Sequence, residues 1–156
     1  MTSRQQDLVG LVGVGYEGRT VEELIEQLHA LGVSRLVDVR LNPLSRKRGL
    51  SKTALGQALH AAGIVYEHRR ELGNPKDNRP GFASTGTVRD HARSRYTELL
   101  HQPQARQALE DVAAAGRQER VAVLCFEADE NQCHRQVVIQ EIQRRLGRGT
   151  DARGGQ

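Results

Sequence analysis

The stretch RVAVLCFEADENQCHR, residues 120–135, decides the fold. Its first half, VAVLCFE, is a nearly unbroken apolar run flanked by charge, the pattern of a strand covered on both faces. Its second half ends in Cys133, His134 and Arg135. Beyond them Val138, Ile139, Ile142 and Leu146 recur at helical spacing, so a final helix is expected to start near Cys133. Asp129 or Asn131 is placed to cap that helix.

Upstream, the same strand-then-helix alternation repeats. LVGLVGVG (8–15) reads as a buried strand and TVEELIEQLHALG (20–32) as a helix. In that helix Thr20 and Glu23 form a capping box, Leu24, Ile25, Leu28 and Leu31 form one stripe, and Gly32 ends it. RLVDVRL (35–41) is a second strand, broken by Asn42 and Pro43. SKTALGQALHAAG (51–63), capped by Ser51, is a second helix, and IVYEHR (64–69) a third strand. ELGNPKDNRPGFASTG (71–86) reads as a long polar loop, either a lid or plain disorder. Helical sequence resumes at Val88 and runs to Gly116 with a break at Pro103.

Four such alternations predict one α/β domain of Rossmann-like type. The expected sheet is mostly parallel, with four or five strands and helices on both faces. The domain is expected to span 8–147, followed by a flexible, basic, Gly-rich tail at 148–156. Ligands of such folds bind beyond the carboxyl ends of the strands. Here that rim carries Gly13 to Gly18, Arg40 to Pro43, Glu67 to Arg70 and Cys125 to Arg135.

Composition narrows the class. With 156 residues, 37% apolar and 27% charged, the chain suits one soluble domain; with 3% aromatics and no Trp its core is expected to be aliphatic. No run of about 18 apolar residues exists, and the N-terminus lacks a secretory signal pattern. The chain therefore reads as cytoplasmic, without a membrane partner, and its two cysteines as free thiols. The net charge of +4 is largely local, in Arg144, Arg145, Arg148 and Arg153 and in the loop group Arg46, Lys47 and Arg48. That loop is expected to be either solvated or in contact with phosphate.

GVGYEG (13–18) matches G-x-G-x-x-G, with Asp38 about twenty residues on. The capping box, however, starts the helix at Thr20, so Gly18 remains in the loop. The motif reads as a glycine-bearing turn before a helix, whose amides can face an anion, rather than as a dinucleotide site.

The Cys-His-Arg triplet carries the chemistry. A thiol in the first turn of a helix, beside His134 and Arg135, is expected to have a lowered pKa. Arg40, at the end of a neighbouring strand, is expected to point into the same space and form an anion clamp with Arg135. Glu127 reads as a general base or as an ion-pair partner of either arginine. Cys125 reads as a small buried apolar residue. A metal site from Cys125, Cys133 and His134 is the lesser alternative, since the spacing is not that of a zinc knuckle.

These segments together resemble a known family. GYEGRTVEELIEQL, RLVDVRLNPLSRKRGLSKTAL, the ELG of the long loop and VLCFEADENQCHR are similar to the DUF488 family, from about Leu11 to Leu146. The positions matching the family pattern are Gly15, Asp38, Arg40, Pro43, Cys125, Glu127, Cys133, His134 and Arg135. The resemblance implies a small cytosolic α/β protein and brings with it no reaction, substrate or cofactor. Members often carry a further apolar strand after the last helix, where this chain has GRGTDARGGQ.

The leading expectation is a hydrolase or transferase acting on an anionic, phosphate-bearing substrate such as a nucleotide or nucleic acid. Cys133 is its nucleophile, His134 the proton partner and Glu127 the base or orienter. Arg40 and Arg135 bind the anion, with Gly15, Tyr16, Asp38, Pro43, Arg46 and Arg48 as further substrate contacts. The alternatives are a non-catalytic module binding nucleic acid or a nucleotide through the same rim, and a Cys/His metal or redox sensor. No cofactor follows from the residues, and the oligomeric state is left open.

Overall fold

The computed structural model describes residues 9–43, 45, 48–127 and 133–154. Four strands, β1 (Gly10–Gly15), β2 (Arg35–Asp38), β3 (Val65–His68) and β4 (Arg120–Cys125), form one all-parallel sheet in the order β1-β4-β2-β3. The Rossmann-like α/β fold is as expected. β4 fills the position between β1 and β2, which makes it the doubly covered strand that its sequence suggested.

The period of two along the strands sorts side chains into two cores. Val121, Val123 and Cys125 face one, with Val37 of β2 and Val39 just beyond it. Ala122 and Leu124 face the other, with Leu36 and Val14. Two helices, α1 (Val21–Ala30) and α2 (Lys52–Ala61), seal the second core with Leu24, Leu28, Leu55 and Leu59. The first core is closed by α4 (Gly86–Leu99), α5 (Pro103–Gly116) and α6 (Arg135–Gly154). The last of these runs past residue 147, where the sequence suggested that the domain ends.

The α1 capping box forms as predicted, with Thr20 Oγ1 accepting from Glu23 N at 3.1 Å and Thr20 N donating to Glu23 Oε1 at 2.8 Å. Gly32 follows with φ +72°, a conformation that favours glycine. Ser51 sits at the α2 N-cap, yet its hydroxyl makes no cap bond. It bonds Ser45 N and O instead, closing the loop before the helix. The caps expected for the final helix, Asp129 and Asn131, lie outside the described residues.

The segment 71–86 is neither an open lid nor a plain loop. It folds into 3₁₀ turns at Arg70–Leu72 and Lys76–Asn78 and a short helix, α3 (Arg79–Phe82). Leu72, Asn74, Asn78 and Phe82 are buried, and Asn78 Nδ2 donates to Asn74 Oδ1 and to Ala92 O. The expectation of an aliphatic core is also amended. Phe82 and Tyr96 meet edge-to-face with centroids 5.9 Å apart, and both are buried in the first core. Among the described residues, no helix is long and apolar enough to cross a membrane.

Replacing Thr20 by Ala removes an exposed cap only. Chemical denaturation should show a loss of about 1 kcal/mol, and an unchanged midpoint would mean that the box contributes nothing to stability.

Candidate functional site

Asp38 and Arg40 anchor the site. Asp38 is completely buried, and its carboxylate takes a bidentate pair from Arg40, Nε to Oδ1 at 2.9 Å and Nη2 to Oδ2 at 2.7 Å. Arg40 Nη1 donates to Leu50 O at 2.6 Å and to Tyr16 Oη at 3.3 Å, and Tyr66 Oη donates to Asp38 Oδ2 at 2.6 Å. Burial alone would lower the Arg40 pKa, but its bonds to Asp38 raise it overall. Burial and the same carboxylate push the Tyr66 phenol up.

This network bears on two expectations. Arg40 lines the rim cavity, and every nitrogen of its guanidinium already has a protein acceptor, so its charge is matched by Asp38 inside the protein. Asp38 is fully buried as the partner of Arg40. That also removes the acidic residue from the dinucleotide pattern, while Gly18 lies in the turn before α1 with φ +75°.

Beyond the strand ends lies a cavity of about 230 Å³. It is bounded by Tyr16 after β1, Arg40 to Asn42 after β2, and Asn74, Arg79 and Phe82 of the 71–86 segment. Cys125, Phe126, Glu127, Cys133 and His134 complete it. The placement fits the crevice that opens where strand order reverses, because β4 sits between two strands that precede it in the chain.

Cys125, the last residue of β4, and Cys133, just before α6, are joined as a disulfide. The free-thiol expectation is thereby corrected. Both side chains face the first core, where their sulfurs meet. Arg135 serves both of them. Its backbone N–H donates to Cys133 Sγ at 3.4 Å and its Nη1 to Cys125 Sγ at 3.2 Å, and Nη1 also donates to Glu127 O. Glu127 Oε2 stands 3.6 Å from Cys125 Sγ.

His134 is held in one orientation. Its Nε2 lies 2.8 Å from Val39 O. A carbonyl only accepts, so Nε2 carries the proton, and the Nδ1 lone pair faces Cys133 Sγ at 3.7 Å. The ring packs edge-to-face on Tyr96, with centroids 5.2 Å apart. Burial, helped by the charges of Arg79 and Arg135 and opposed by the bond to Val39 O, lowers its pKa to about 4.

Gly15 acts by having no side chain. A Cβ there would lie 1.9 Å from Glu127 O and 2.9 Å from Arg135 Nη1. It is the point where β1 lets the Cys-His-Arg corner approach. Tyr16 lines the cavity and meets Phe126 edge-to-face at 5.4 Å. The remaining candidates do not join them. Pro43 accepts from Lys52 N, and exposed Arg48 borders a separate groove beside Gly18 to Glu22. Arg46 lies outside the described residues.

Sequence reasoning missed Arg79, an exposed cation on the cavity wall with no ion-pair partner among the described residues. It also missed Asn74 and Phe82. The available signal was a pair of large apolar residues, Leu72 and Phe82, inside a stretch otherwise too polar to need them.

Fold and site define a parallel α/β protein with a paired-sulfur centre in the crevice at the carboxyl edge of its sheet. The chain belongs to the family described as domain of unknown function DUF488, which matches residues 20–142. No curated protein and no solved structure matches the chain.

Two outcomes check this geometry. Asp38→Asn leaves Arg40 charged and buried without its counter-ion, and denaturant titration should show a loss of about 3 kcal/mol or more; a loss under about 1 kcal/mol would mean that the pair is not holding the rim. His134 titrates lower folded than unfolded, so the unfolded chain binds the proton first as pH falls from about 6.5 towards about 4. Its contribution is present above that window and is lost on acidification, by about 2 kcal/mol between pH 7 and pH 5. His134→Gln should flatten this slope in the oxidised protein; an unaltered slope would assign the acid sensitivity to other groups.

Proposed function

We propose that the cavity is the active site of a thiol-dependent hydrolase or transferase, working in the reduced state on the anionic end of a small substrate. Cys133 is the nucleophile, and the observation that carries the reading is the fixed imidazole of His134. With Nε2–H committed to Val39 O, Nδ1 is left as the proton acceptor beside Cys133 Sγ. The low His134 pKa belongs to the disulfide form, in which no thiolate faces the ring. A thiolate at Cys133 would draw it upward.

Reduction of the disulfide by a cellular dithiol frees both sulfurs. Cys133 then passes its proton to Nδ1, and its thiolate keeps the Arg135 backbone N–H. Arg79 takes the role first assigned to Arg40 and meets the substrate's negative charge. About 230 Å³ is below the range of about 300–1,000 Å³ usual for drug-sized ligands. The cavity thus suits a phosphate ester group or one end of a nucleotide, with the rest of the molecule outside. The groove beside Arg48 is separate from the cavity, so the nucleic-acid module reading gains no support from that residue.

The test uses the reduced chain. Iodoacetamide should label Cys133, inorganic phosphate should slow the labelling, and the oxidised chain should resist it. On a panel of phosphate esters, Cys133→Ser should abolish turnover. His134→Gln should lower it by roughly 10²–10⁴-fold, and Arg79→Ala should raise KM more than it lowers kcat. Turnover that survives Cys133→Ser would remove the nucleophile and with it the proposal.

A further inference from the structure

We infer that the reduced protein binds one thiophilic divalent ion of the Zn²⁺ class through Cys125 Sγ, Cys133 Sγ and His134 Nδ1, with the fourth position open to the cavity. The three donor atoms lie within 4.8 Å of one another, and all three residues are buried. They come from two places in the fold, the end of β4 and the residues just before α6.

One donor pair already has the spacing of ligands around a small tetrahedral ion, and reduction frees the two sulfurs to separate around it. Zn–S and Zn–N bonds of about 2.3 and 2.0–2.1 Å put neighbouring S and N ligands about 3.6 Å apart. His134 Nδ1 and Cys133 Sγ are 3.7 Å apart. The other ring nitrogen donates to Val39 O, the kind of outer partner that orients metal-binding histidines. Cys125 and Cys133 have Cα atoms 7.2 Å apart, wider than the roughly 4.4–6.8 Å that disulfides usually span. That separation suits two thiolates flanking an ion.

Charge agrees with the assignment. Two thiolates and a neutral imidazole cancel a divalent ion, so the occupied centre buries no net charge of its own. The N–H groups of Arg135 already approach both sulfurs and would support them as ligands. Glu127 lines the same cavity, where it meets a ligand in the open position.

Disulfide and metal exclude each other. A dithiol reductant supplies two electrons and two protons to the Cys125–Cys133 bond and is itself oxidised to a disulfide. Metal entry then releases the two thiol protons to solvent. Because the ion also takes Cys133 Sγ and His134 Nδ1, its presence blocks the nucleophilic reaction proposed above. The metal site does not require that reaction to exist.

The full chain, reduced and kept anaerobic, is titrated with Co²⁺ as a spectroscopic probe. One equivalent should produce a thiolate-to-cobalt charge-transfer band with the visible bands of a tetrahedral site, both lost on adding Zn²⁺. The oxidised chain, a folded control with an unaltered sequence, should produce neither. Cys125→Ser and Cys133→Ser should each reduce the charge-transfer band and weaken binding by more than the roughly 10–100-fold that loss of an outer partner costs. His134→Gln should shift the visible bands while keeping the charge-transfer band. The inference is overturned by a reduced, folded chain that gives no charge-transfer band, by equal binding to oxidised and reduced chains, or by serine variants with wild-type spectra.

Discussion

A buried ion pair, Asp38 with Arg40, sets the working edge of this molecule. Such a pair costs desolvation, and it is tolerable only when every remaining donor and acceptor is satisfied. Here Leu50 O, Tyr16 and Tyr66 complete the set, so one guanidinium ties the loop before α2, the end of β1 and the end of β2 to a single point. The strand end is thereby immobilised. Arg40 O accepts from His68, and the preceding carbonyl, Val39 O, accepts from His134. The orientation of the imidazole is therefore a consequence of the ion pair whose two members flank Val39 in the chain.

From that constraint the rest of the centre follows. His134 cannot turn, because Val39 O holds one side of the ring and Tyr96 packs on it. Tyr96 is in turn held by Phe82 and by its bond to Leu72 O, both from the 71–86 segment. A stretch of polar sequence thus becomes the wall of the cavity by anchoring through two apolar side chains. On the opposite side, Gly15 allows Glu127 O and Arg135 to approach β1 closely. The cavity has one wall of hydrogen-bonded polar groups and a floor of two sulfurs.

The alternation of strands and helices, the α1 cap and the break at Pro103 were all legible in the chain, because each rests on contacts between residues near in sequence. The rim was legible too, since the carboxyl ends of parallel strands must share one side. What was read less well depends on the third dimension. Nothing in RLVDVRL reveals that the Arg40 side chain folds back on Asp38. Cys125 and Cys133 looked like separate thiols because an eight-residue spacing says nothing about where their side chains lie in space. Arg79 went unnoticed inside a stretch with no periodicity to place it.

By itself the sequence determined a parallel α/β domain and the residues gathered at one edge of its sheet. Period-two and helical patterns record burial directly, and short turns leave few ways to connect the elements. Only the tertiary structure decided which charges were already neutralised, which imidazole nitrogen faced a sulfur, and that the two sulfurs met. Those outcomes depend on distances of a few ångströms between residues tens of positions apart, set by how the two cores pack against β4, and no local pattern encodes them.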